Sequence, residues 1–223
     1  MNNPLPHTIN DQTFWVSPER CLYWEEEKTL IVSDLHLGKS GHFRREGIAI
    51  PQSIYKADLQ RLIAQLYAFK AEKLLIVGDM THSQANKELD LFLKWRNDFP
   101  GLPFELVRGN HDILEDQWYH DAGITLHEGE LKLGSFVFRH EQDPEQVAEP
   151  ADHTVYTFSG HVHPGIRLRG PGKQALRFPC FYFGPEHAIL PAFSRFTGTY
   201  LVEPKKGDVV YALVENELVL MRR

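Results

Sequence analysis

Hydrophobic and polar positions fall into two textures along this chain. Thr29-Leu30-Ile31-Val32, Lys73-Leu74-Leu75-Ile76-Val77 and Phe104-Glu105-Leu106-Val107 are short apolar runs of the kind that fills buried strands. Between the first two, Leu59, Leu62, Ile63, Leu66 and Phe69 recur at helical spacing, which predicts an amphipathic helix over 53–70 behind Pro51. A second helix is predicted over 85–98 through Leu89, Phe92 and Leu93, ending before Phe99-Pro100-Gly101. The first half therefore reads β-helix-β-helix-β.

From about Ile124 the helical period gives way to strand-length segments at 124–127, 131–134, 135–139, 154–158, 175–183, 199–203 and 209–221. Lys205-Lys206-Gly207-Asp208 and Glu215-Asn216 stand at plausible hairpin turns, so a mostly antiparallel second half is expected. The acidic stretch 141–152, with Pro144 and Pro150, is expected to be a mobile surface loop. Two sheets packed face to face, with helices outside at least one of them, would bury both halves around one core.

Composition sharpens this only a little. At 223 residues, with 42% hydrophobic and 24% charged residues, one domain over 1–223 is expected. No apolar stretch approaches the roughly 20 residues needed to span a bilayer, and the start lacks a basic region followed by an apolar one, so a soluble cytoplasmic protein is expected. Cys21 and Cys180 stand alone, without the close spacing of a zinc or redox pair, and read as reduced structural thiols. Trp15, Trp24, Trp95 and Trp118 are scattered and read as core.

The net charge of −6 argues against a generally basic nucleic-acid surface, but its distribution complicates that reading. Lys39, Arg44 and Arg45 lie in one segment without acids, and Arg167, Arg169, Lys173 and Arg177 in another. Each segment directly follows a motif rich in metal-ligand residues. Positive charge at the rim of a site, serving a polyanionic substrate, is one reading; solvated strand faces and loops are the other.

Those motifs are Asp34-Leu35-His36, Gly78-Asp79, Gly109-Asn110-His111-Asp112, His140 and Gly160-His161-Val162-His163. The first three stand at the ends of the apolar runs. Asp34 and His36, two apart, can aim at one point if the extended conformation persists, and His161 and His163 repeat the spacing. Gly78 lets the backbone approach an ion, and the Asp79 carboxylate can bridge two. The donors are oxygen and nitrogen without thiolate, which favours manganese, iron or zinc over calcium. Two such ions can hold a phosphate, activate a water and stabilise an in-line displacement. His111, beside Asn110, is placed to protonate a leaving alkoxide. Asp112 could orient it or cap a helix beginning at Ile113-Leu114-Glu115.

In this order the motifs resemble the calcineurin-like metallophosphoesterase superfamily over residues 30–165. The resemblance implies a four-layer αββα sandwich with two divalent ions, manganese foremost and iron or zinc as alternatives. One ion would be held by Asp34, His36, Asp79 and His163, the other by Asp79, Asn110, His140 and His161, with His111 as general acid. His140 is followed by Glu141 where many members have Gly, which makes His127 and His153 replacements to consider. His82 stands where the protein phosphatase branch has an acid and the DNA-repair nuclease branch a histidine. Leu37-Gly38-Lys39 and Arg139-His140-Glu141 look most like the bacterial DNA-ligase-associated phosphoesterases, thought to process DNA ends or act as endonucleases beside a ligase and a helicase.

The leading expectation is therefore a metal-dependent phosphodiesterase acting on DNA in repair or end processing. A hydrolase of small phosphodiesters or pyrophosphates is the alternative, favoured by the acidic bulk. A scaffold that has lost catalysis is disfavoured, because every ligand type and His111 are present. Of the remaining histidines, His42 is singled out because it follows the first ligand pair directly.

Overall fold

The computed structural model describes residues 3–39, 47, 53–82, 87–141, 155–169 and 175–222. The first sheet runs in chain order, β1 (Leu5–Ile9), β2 (Gln12–Ser17), β3 (Cys21–Trp24), β4 (Thr29–Val32), β5 (Lys73–Val77), β6 (Phe104–Val107) and β7 (Ile124–His127). β1 to β4 form an antiparallel meander. β4 to β7 are parallel, with α1 (Ser53–Phe69), α2 (Lys87–Arg96) and α3 (Asp116–Asp121) in the connections. Parallel pairing brings the carboxyl ends of β4, β5 and β6 to one edge, and a motif follows each of them.

The second sheet holds β8 (Glu130–Leu133), β9 (Phe136–Arg139), β10 (Tyr156–Ser159), β11 (Pro164–Arg169), β12 (Ala175–Phe183), β13 (His187–Ile189), β14 (Tyr200–Leu201), β15 (Val209–Val214) and β16 (Glu217–Arg222). Its order is β14-β11-β12-β13-β10-β9-β8, with β15 beside β12 and β16 beside β15. Antiparallel pairing predominates as expected, and Glu215 and Asn216 turn the β15–β16 hairpin with φ of 47° and 65°. Three pairs, β9–β10, β10–β13 and β11–β14, are parallel instead. Long connections between these strands make the crossovers feasible, and the mixed pairing ends β9 and β10 on the same edge.

Burial on both faces explains why β4, β5 and β6 read as apolar runs, broken in β6 by Glu105, which is half-buried and pairs with Lys73 and His127. Leu30, Val32, Leu74, Ile76 and Leu106 pack under the helices against Leu62, Leu66, Leu89, Phe92 and Tyr119. Ile31, Leu75, Val77 and Val107 face the second sheet. A strand buried on both faces carries no polar alternation. Between the sheets Phe14, Trp24, Phe136, Phe138 and Phe158 interlock, with Phe138 stacked on Phe158 at 5.2 Å and Phe14 edge-on to Phe136 at 5.2 Å.

The outer face of the second sheet carries a smaller cluster of Ile166, Cys180, Tyr182, Val210 and Ala212. All three described helices pack on the first sheet, so three of the four expected layers lie among the described residues. Both cysteines are free and buried, and burial pushes each thiol up to about 12. No described helix is long and apolar enough to cross a membrane. The expected loop falls outside the described residues beyond Glu141.

Candidate metal centre

Asp34 and His36 meet by a route that differs from the expected one. The chain does not stay extended after β4, because both residues adopt left-handed φ, 54° and 49°, as do Asp79, His161 and His163 at 48°, 64° and 50°. Five left-handed residues other than glycine in one place mark a backbone held against its preference, as functional sites are. The restraint is visible. Asp34 N–H donates to Gly78 O, His36 N–H to Asp79 O and Leu37 N–H to Met80 O, which ties the loops after β4 and β5 together. From the other side Phe193 N–H donates to Ser33 O and Ser194 N–H to Asp34 O. Arg20 in turn donates to the carbonyls of Ala192 and Ser194, and Arg61, paired with Asp58 at 3.0 Å, donates to that of Phe193.

This framework buries Asp34 completely. Its Oδ2 lies 2.5 Å from Ser33 Oγ and accepts the His161 N–H at 3.2 Å. Its Oδ1 is buried and takes no hydrogen bond; His163 Nε2 stands 3.1 Å away and is itself 3.3 Å from His36 Nε2. Burial, with Lys39 adding to it, pushes His36 down to about 2, so its ring is neutral. Two imidazole nitrogens therefore converge on a buried carboxylate oxygen that accepts no hydrogen bond, a donor set that a divalent cation would satisfy.

The second cluster forms around Asp79. Its Oδ1 accepts the backbone N–H of His111 at 2.9 Å and lies 3.3 Å from His140 Nε2. That nitrogen is 3.0 Å from Asn110 Oδ1 and 3.3 Å from His161 Nδ1, which is 3.1 Å from the same Asn110 oxygen. Burial works against the Asp79 charge, but His140 and the His111 N–H outweigh it and hold the carboxyl at about 2. His140 shifts up in turn, its bond to Asp79 overcoming burial. Two glycines make the approach feasible: a Cβ on Gly78 (φ 76°) would lie 1.9 Å from His140 Nδ1, and one on Gly109 2.2 Å from Asp79 N. His140 stands inside this cluster. His127 is occupied elsewhere, 3.0 Å from Glu105, and His153 lies outside the described residues.

Asp34, His36 and His163 thus form one group whose donor atoms lie within 4.8 Å of one another, and Asp79, His140 and His161 form a second. Their oxygen and nitrogen donors suit two divalent ions. His111 lies against the second group with its ring Nε2 4.0 Å from Asp79 Oδ2 and its side chain 43% exposed. His82 tilts over it, ring centroids 4.4 Å apart, with its Nδ1 3.3 Å from His36 Nδ1.

Asp112 does not cap a helix at 113–115. The helix begins at Asp116, and the buried Asp112 carboxylate accepts Thr81 N–H at 2.8 Å, Gly109 N–H at 2.9 Å and the Thr81 hydroxyl at 3.0 Å. It therefore fastens the 109–112 loop to Thr81, beside His82, without a bond to the His111 ring. Ser33, Arg20, Arg61 and the strap 192–195 escaped sequence reasoning, since their partners are backbone carbonyls distant in sequence. Of the basic segments, Lys39 is half-buried near Asp34 and Asp79; burial lowers its pKa and both carboxylates oppose that. Arg167, Arg169 and Arg177 are exposed. His42, Arg44, Arg45 and Lys173 lie outside the described residues.

Two neighbouring clusters of oxygen and nitrogen donors at the strand ends of a β-sandwich, with a partly exposed histidine beside them, define a metal-dependent phosphoesterase. A family model of the calcineurin-like phosphoesterases matches residues 27–184, and the chain belongs to that family. Among solved structures it resembles the nuclease MPE from Pseudomonas putida, with a TM-score of 0.80 and 29% identity over 97% of this chain and 100% of that one. Yfce, a phosphoesterase from Escherichia coli, aligns with a TM-score of 0.45 and 14% identity over 86% of this chain and 97% of its own. A search of curated protein sequences found no match.

Proposed function

We propose that the protein is a dinuclear phosphodiesterase that cleaves DNA, in a repair or end-processing role. The observation that carries this reading is a histidine, His82, and not a carboxylate, packed 4.4 Å from His111. The likeness to a nuclease along nearly the whole chain supports it. Asp34, His36, Asp79 and His163 would hold one ion and Asp79, Asn110, His140 and His161 the other, with manganese favoured. The ions supply charge stabilisation and an activated water. His111 gives a proton to the leaving alkoxide, a contribution of about 10²- to 10⁴-fold. His82 backs the His111 ring and limits its rotation, and Asp112 fixes the loop that carries it. A DNA ligase and a helicase are the partners this reading suggests.

The test is hydrolysis, with manganese and with a chelated control, of bis-p-nitrophenyl phosphate, p-nitrophenyl phosphate and a DNA oligonucleotide. Preference for the diester over the monoester, together with cleavage of the oligonucleotide, is expected. Preference for the monoester would overturn the reading, and turnover of small diesters alone would move it to small nucleotide substrates.

A further inference from the structure

Beyond the metal centre, the second sheet extends a ribbon that the proposed chemistry does not use. β11 begins at Pro164, directly after His163, and pairs antiparallel with β12 so that Arg167 stands opposite Arg177 and Arg169 opposite Ala175. All three arginines are exposed, and among the described residues none pairs with an acid. The sequence from Pro164 to Pro185 contains no acid at all. Like charges directly opposite on a strand pair destabilise it, so the fold gains nothing from Arg167 facing Arg177.

The parity of the strands fixes which way these side chains point. Leu168 and Leu176, opposite each other, continue the line of Ile166, Cys180 and Tyr182 on the outer face. Arg167, Arg169 and Arg177 lie on the other face, which nearer the body carries Phe181 and Phe183 into the space between the sheets. The arginines therefore point to the side on which the first sheet and the metal centre stand. Arg167 follows His163 by four residues, a distance of about 13 Å along an extended chain.

We propose that the inner face of the β11–β12 ribbon, through Arg167 and Arg177, is a second phosphate-binding subsite that holds the backbone of a nucleic-acid strand away from the scissile phosphate. The proposal rests on the nucleic-acid reading of the centre and specifies its substrate as an extended strand. About 13 Å corresponds to roughly four nucleotides at about 3.4 Å each, fewer when the strand is drawn out. A nitrophenyl diester is too short to reach the ribbon. Guanidinium groups suit the task, since they bind phosphate in a forked geometry.

The test compares wild type with the double variant Arg167→Glu/Arg177→Glu on bis-p-nitrophenyl phosphate and on a single-stranded DNA oligonucleotide, across a salt series. Unchanged diester hydrolysis is expected, which also shows that the variant folds. On the oligonucleotide KM is expected to rise about tenfold or more. The slope of log affinity against log salt is expected to shrink by about 1.4, two contacts at about 0.7 each on a single strand. Leu176→Ser, on the opposite face, is expected to change neither. If wild type cleaves the oligonucleotide and the double variant does so with the same KM and salt slope, the subsite is overturned while the nuclease reading stands. If wild type hydrolyses the diester but never the oligonucleotide, both fall.

Discussion

The two halves of the candidate centre use similar side chains in unlike surroundings. Asp34 and His36 are 0% and 5% exposed, and their backbone is pinned by the loop after β5 on one side and the strap 192–195 on the other. Across the centre, the His161 side chain is 37% exposed, Asn110 is exposed, and Glu141 stands 3.8 Å from His161 Nε2. Preorganisation is greatest at Asp34 and His36 and access at His161 and Asn110, while Asp79 and His140 of the second group are buried as well and His163 of the first is 19% exposed. An ion held by Asp34 and His36 would lie against the most buried and most restrained donors, and one held by Asn110 and His161 nearer to water and substrate. Slow exchange of the first ion and faster exchange of the second are expected consequences.

Asp79→Asn should break this contrast most completely, because in the proposed centre its carboxylate would serve both ions. Loss of several kcal/mol of charge stabilisation corresponds to about a thousandfold or more in kcat/KM. Metal analysis should find both ions weakened in a chain that still folds. His111→Ala should slow cleavage of DNA, with its poor leaving group, by about a hundredfold or more. It should cost far less on bis-p-nitrophenyl phosphate and leave both ions bound; equal losses on the two substrates would count against His111 as the acid.

Asn110→Ala and His36→Ala separate the halves directly. Asn110→Ala should release one ion on dialysis and retain the slowly exchanging one, whereas His36→Ala should lose the retained ion. A metal present at a hundred times its dissociation constant stabilises the fold by about 2.7 kcal/mol. Chelation should therefore lower the melting temperature less in His36→Ala than in wild type. Glu141→Gly should have the smallest effect, since an exposed charged contact is worth under about 1 kcal/mol. Less than about a fivefold weakening of the more exchangeable ion, measured by competition with a chelating dye, is expected.

How much of this was legible in the sequence follows from burial. β4, β5 and β6 could be read because both faces are largely apolar, Glu105 apart, and α1 because one face is. The meander strands β1, β2 and β3 were all missed; β1 buries only its last residue and contains Pro6 and His7. The centre could be located because Asp, Asn and His at strand ends carry their chemistry in their identity. Its geometry could not, because the left-handed turns at Asp34 and His36 depend on bonds to loops distant in sequence. His140 shows the limit well. Glu141 made it the doubtful ligand, yet β9 and β10 run parallel with Arg139 beside Ser159, and Gly160 N–H donates to His140 O. That register, invisible in the sequence, sets His140 next to His161.

The most direct measurement is equilibrium binding of manganese to chelator-stripped protein, read as ions per chain alongside dissociation rates. Two ions per chain, one leaving slowly and the other quickly, with the slow one abolished in His36→Ala and the fast one in Asn110→Ala, is the expected result. A single ion per chain, or two that both variants weaken alike, would contradict a centre built from a closed half and an open one.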